Sequence, residues 1–113
     1  MTRVCFRLQV AAQHMDAYRE RHAAVWPAML RAIAAAGRRN YSLFLGDDGL
    51  LIGYYETGSV ADADAALAAS EVAGAWEAHM RDLFDGATGR ADQTARVLPE
   101  VFNLEDQLAA AGD

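Results

Sequence analysis

The chain predicts an α+β domain of ferredoxin-like type, with the order strand, helix, strand, strand, helix, strand and its helices on one face of the sheet. Three observations carry this. Apolar and polar residues alternate through residues 3–10, a helical stretch occupies 14–36, and Asp47-Asp48-Gly49 joins two further strand-like segments.

In the first segment Val4, Phe6, Leu8 and Val10 face one way and Arg3, Cys5, Arg7 and Gln9 the other, so the strand has two unlike faces. The helix over 14–36 is interrupted at Trp26-Pro27, because proline lacks a backbone donor and disfavours helix at the residue before it. Gly37 is its C-terminal stop. Residues 39–46 and 50–57 form the hairpin strands. Ser59 caps a helix over about 60–69, and Ser70 caps another reaching about 84. A polar, glycine-containing loop runs from Asp85-Gly86 to Thr94, and a last strand spans Arg96 to Leu104. Residues 1–104 make one domain, and the alanine-rich residues 105–113 are expected to be a flexible tail.

A 113-residue chain holds one small core, and much of its 53% hydrophobic content is alanine, which fills volume thinly. Helices on one sheet face leave the other open. Closure of that face by a second copy, a homodimer joined through the sheets, is the economical arrangement. The charge of −6 and the lack of a basic patch with aromatic partners exclude nucleic-acid binding as the expected role. Cys5 is the single cysteine, so no intrachain disulfide forms and a cysteine-based metal site is not expected. No signal-peptide core or membrane-length apolar run is present, and a cytoplasmic location is the expectation.

The chemistry-bearing feature is Tyr18-Arg19-Glu20-Arg21-His22, followed closely by Trp26-Pro27. Tyr18 and His22 are one helical turn apart and project from the same face. Imidazole exchanges a proton near neutral pH, the adjoining helix end favours its charged form, and a phenol beside it can orient a hydroxylated ligand. Trp26 offers a flat apolar surface of the kind that stacks on sugars. Tyr41 on the second strand could point into the same cleft, and Trp76 shares a helical face with Met80; core packing is the alternative for both. Tyr54 and Tyr55 must face opposite ways, so one of them could reach the cleft, and Arg7 and Gln9 could line it. Glu77, His79 and His14 read as solvated. Paired metal-binding histidines, a phosphate-cradling glycine loop and a nucleophile elbow are all missing from the sequence. What remains suits proton transfer on a neutral polyhydroxylated ligand without a cofactor.

These spacings resemble the L-rhamnose mutarotase family over residues 3–104. The resemblance rests on the opening strand, Tyr18-x-x-x-His22-x-x-x-Trp26-Pro27, Gly37 followed by Asn40-Tyr41, Trp76 to Met80, and Glu100-Val101-Phe102. It implies a ferredoxin-like domain that dimerises through its sheets and interconverts the α and β anomers of L-rhamnose. It further implies that His22 is the proton donor and that Tyr18, Tyr41 and Trp76 bind substrate. Glu77 stands where the family pattern has a second tryptophan, which bears on how the sugar is held. Another aldose such as L-fucose, or a non-enzymatic module binding haem or another small ligand, is the alternative.

Overall fold

A computed structural model describes residues 1–84 and 95–112. The chain runs β1 (Thr2–Gln9), a 3-10 turn (Ala12–His14), α1 (Met15–Ala23), α2 (Pro27–Ala36), β2 (Arg38–Leu45), β3 (Leu50–Thr57), α3 (Val60–Ala69), α4 (Glu71–Met80), a second 3-10 turn (Arg81–Leu83), β4 (Arg96–Leu98) and α5 (Leu104–Ala111). The strands form one antiparallel sheet in the order β2-β3-β1-β4, which is the ferredoxin-like arrangement expected from the sequence. The polar loop expected over 85–94 lies outside the described residues.

Local chemistry accounts for the boundaries. Trp26 is extended (φ −50°, ψ 128°) and Pro27 opens α2 at a position where its missing donor costs nothing. Gly37 closes α2 in the left-handed region (φ 98°), donating its N–H to Ala34 O at 3.1 Å. In the β2–β3 turn Gly49 sits at φ 87° and donates to Gly46 O, while Asp48 Oδ1 accepts from Leu50 N at 3.0 Å. Ser59 and Ser70 cap α3 and α4, their hydroxyls each accepting at 3.2 Å, from Asp62 N and Ala73 N.

Three boundaries differ from expectation. The helix expected to reach about 84 stops at Met80 and tightens into the second 3-10 turn. The last strand pairs with β1 only over Arg96–Leu98, since Pro99 cannot donate to the ladder. Where a flexible tail was expected the chain forms α5: Asn103 caps it by accepting from Asp106 N at 3.0 Å, and Gly112 ends it at φ 84°. Arg3 on β1 pairs with Glu100 at 2.7 Å and with Asp106, tying this segment to the sheet.

The helix-facing side of the sheet carries Val4 and Phe6 of β1, Val10 just beyond its end, and Leu51, Gly53, Tyr55 and Thr57 of β3, all buried. Met29, Leu67, Met80 and Leu83 pack against it from the helical layer. Gly53 lies directly opposite Phe6, and a Cβ there would fall 2.1 Å from the Phe6 ring. Only glycine lets that ring lie across the strand. The other sheet face presents Cys5, Arg7, Ile52, Tyr54 and Glu56, together with a Phe44 side chain that is 63% exposed. Val101, Phe102 and Leu104, which follow β4, are exposed as well.

Candidate active site

Between the helices and the sheet lies a cavity of about 410 Å³. Its walls include Tyr18 and His22 from α1, Arg38 and Tyr41 from β2, and Trp76 and Glu77 from α4, over an apolar floor that includes Phe6 and Leu51. The four residues singled out as His22, Tyr18, Tyr41 and Trp76 therefore converge on one hollow.

The break at Trp26-Pro27 ends α1 at Ala23 and leaves His22 in its last turn, half-buried. The turn-apart spacing stacks the Tyr18 and His22 rings at 4.1 Å between centroids with 19° between their planes. Trp76 meets the imidazole edge-on at 5.4 Å and 81°. His22 Nδ1 lies 3.1 Å from the Tyr18 carbonyl oxygen. A carbonyl only accepts, so this bond assigns a proton to Nδ1. Nε2 is then the exchanging atom: an acceptor in neutral imidazole and a donor in imidazolium.

Burial pushes the His22 pKa below its ordinary 6.5, and the bond to the Tyr18 carbonyl offsets this in part. The helix end, expected to favour the charged ring, is thus outweighed by desolvation. Tyr18 is pushed strongly upward, first by burial and then by the charges of Tyr41 and Glu77, so it remains a neutral phenol at physiological pH. It can donate or accept a hydrogen bond but does not ionise.

A backbone irregularity aims Tyr41. Arg39 pairs with Glu56 and Ser42 with Tyr54, so β2 holds one extra residue there. Asn40 takes the left-handed conformation this needs, at φ 49°. With unbroken alternation Tyr41 would share the open face with Arg39. The bulge turns it inward, where its ring meets Phe6 at 6.1 Å and 83° and Tyr55 at 5.4 Å and 32°.

Other expectations fall away. Arg7 is exposed on the open face, and Gln9 Nε2 donates to Asp48 O at 2.8 Å, so neither lines the cavity. Tyr54 faces outward and donates its hydroxyl to Glu56 at 2.7 Å; Tyr55 is buried beside the cavity without lining it. Trp26 packs edge-on behind Trp76 at 5.0 Å and 84°, so it supports the wall rather than offering a stacking surface. His79 is exposed as expected, and His14 is partly covered.

Two charged residues of the cavity escaped the sequence reading. Glu77, expected to be solvated, is only 9% exposed and lines the hollow. Its spacing from buried Ala73 and Met80, four residues on and three before, carried the signal. Arg38 follows the Gly37 cap directly and points inward; its Nη2 bonds Asp64 Oδ1 at 2.6 Å, and its guanidinium lies 4.3 Å over the Tyr55 ring. Among the described residues, no cluster of three or more His, Cys, Asp or Glu is placed to hold a metal ion, and no helix is long and apolar enough to cross a membrane.

Fold and cavity together define a small α+β domain with a hollow between its sheet and helices, lined by an imidazole, two phenols, an indole, a guanidinium and a carboxylate. A family model described as L-rhamnose mutarotase matches residues 3–104. An L-rhamnose mutarotase from Burkholderia orbicola is 35% identical across 93% of this chain and 100% of its own length. One from Citrobacter koseri is 29% identical across 92% of this chain and 99% of its own. The crystal structure of an L-rhamnose mutarotase from Formosa agariphila superposes with a TM-score of 0.74 at 23% identity, covering 92% of this chain and 99% of that one, which shows the shared fold. The chain belongs to the L-rhamnose mutarotase family.

Proposed function

We propose that this protein exchanges the α and β anomers of L-rhamnose by acid/base-catalysed opening and closure of the sugar ring. The observation that carries the reading is the convergence of His22, Tyr18, Tyr41 and Trp76 on one cavity of about 410 Å³, large enough for a monosaccharide. Family membership supplies the substrate.

Anomer exchange moves protons but neither oxidises nor reduces. A donor protonates the ring oxygen while the C1 hydroxyl loses its proton; the ring opens to the aldehyde, C1 rotates, and closure reverses the transfers. His22 is the donor, acting through Nε2, since Nδ1 is held by the Tyr18 carbonyl. Tyr18 and Tyr41 bond sugar hydroxyls as neutral phenols, and Trp76 packs against the apolar face of the ring. Holding the sugar still beside the donor contributes to rate through orientation. The chemistry draws on no cofactor.

The functional unit is a homodimer closed over the open sheet face. The exposed Phe44 ring and its neighbours Ile52 and Tyr54 favour this, because apolar area there is removed from water by a second copy. A sedimentation mass of twice the 12.2 kDa chain is expected, and a monomer at micromolar concentration would refute it. A cytoplasmic location is part of this reading. Exchange NMR on L-rhamnose, L-fucose and non-deoxy aldoses tests the function. Anomer exchange above the spontaneous rate is expected with L-rhamnose first; acceleration confined to L-fucose would reassign the substrate.

A further inference from the structure

We propose that the Glu77 carboxylate is the base that takes the C1 hydroxyl proton while His22 serves the ring oxygen. This rests on the anomer-exchange reading above and supplies its missing partner. Ring opening needs two proton carriers at two oxygens, and His22 is one of them. Among the described residues lining the cavity, the other titratable or charged groups are Tyr18 from α1, Arg38 and Tyr41 from β2, and Glu77 from α4. Phenols are poor proton acceptors near neutrality, and a guanidinium accepts nothing. Arg38 is also engaged with Asp64. Glu77 is the carboxylate on the cavity wall. It projects from α4, next to Trp76, whereas His22 projects from α1. A sugar in the hollow between helices and sheet would therefore meet the donor and the acceptor presented from two different helices.

The transfers balance. Imidazolium Nε2 gives its proton to the ring oxygen, the bond from C1 to that oxygen breaks, and its electron pair stays on the oxygen. The C1 hydroxyl gives its proton to the carboxylate as the carbonyl forms. Rotation about the C1–C2 bond and reclosure on the other face return both protons, so His22 and Glu77 end as they began.

Steady-state exchange by NMR with the intact protein and L-rhamnose decides it, using Glu77→Gln and Glu77→Ala, the latter with and without added formate. Loss of a general base predicts kcat down about 100-fold or more in Glu77→Gln, with KM changed by no more than about 3-fold. Formate should restore rate to Glu77→Ala, which a packing role would not allow. A Glu77→Gln enzyme with kcat within about 3-fold of the parent, or a changed KM alone, overturns the assignment. If Glu77→Gln does not fold, the formate experiment stands alone: no restoration overturns the base. A parent protein that accelerates exchange of no sugar brings down the functional reading itself, and the base with it; an active parent with an indifferent Glu77 brings down the base only.

Discussion

Gly53→Ala should damage both stability and ligand binding, through one ring. An ideal Cβ at Gly53 would lie 2.1, 2.4 and 2.6 Å from Phe6 Cζ, Cε1 and Cε2. Carbon atoms pack at about 3.5–4.0 Å, so the ring must retreat by more than an ångström. Phe6 is 6% exposed, with Tyr41 edge-on at 6.1 Å and Tyr55 tilted at 6.1 Å, so neighbours block its sideways escape. The remaining direction is the cavity that Phe6 floors. Overpacking of this kind costs about 2–3 kcal/mol. For a domain of this size that lowers Tm by about 10 °C. A ring pushed into the hollow also takes volume from the ligand, so KM for sugar rises. The assay is a thermal melt followed by circular dichroism, with Gly58→Ala as control, because a Cβ at Gly58 meets nothing within 4 Å. A Gly53→Ala protein melting within about 2 °C of the parent would refute the packing argument.

Asn40→Val should cost about 1–3 kcal/mol, since a β-branched residue resists the positive φ of the bulge, whereas Asn40→Gly should melt near the parent temperature; equal melting of all three proteins would show that the bulge is not under this constraint. Burial holds the folded-state pKa of His22 below 6.5, so beneath 6.5 the unfolded chain binds that proton more readily and stability falls as pH drops toward the folded value. Urea melts across this window should show a shallower loss in His22→Gln, and an unchanged pH slope would contradict the burial argument. The same depression places the alkaline limb of kcat/KM below 6.5, because the imidazolium donor is depleted above its own pKa. Tyr18→Phe keeps the stacked ring and loses only the hydroxyl; KM should rise about 10-fold, the equivalent of one hydrogen bond, with little change in Tm. A severe loss of stability instead would mark Tyr18 as a core residue alone.

The sequence carried the framework because its signals are local. Strand alternation in β1, the Asp47-Asp48-Gly49 turn, the serine caps and Gly37 each act within a few residues, and each falls close to its expected place. The pairing of Tyr18 with His22 was legible for the same reason, being one helical turn. What escaped is set by packing. Tyr41 reaches the cavity only through a bulge that simple alternation does not announce. Trp26 looked like a ligand platform by its chemistry, yet packing spends it as the buttress of Trp76. Glu77 looked solvated by type, and burial on the cavity wall reversed that, while Arg38 drew no reading until the fold paired it with Asp64. The C-terminal helix was hidden behind an alanine-rich composition, although Asn103 and Gly112 bracketed it with ordinary capping chemistry.

On this mechanism the imidazole of His22 delivers the proton that opens the sugar ring. Saturation-transfer NMR on L-rhamnose with His22→Ala, run beside the parent at matched concentration and with matched thermal melts, tests it directly. Anomer exchange should run at the spontaneous rate in the folded variant and well above it in the parent. Equal exchange in both would contradict it.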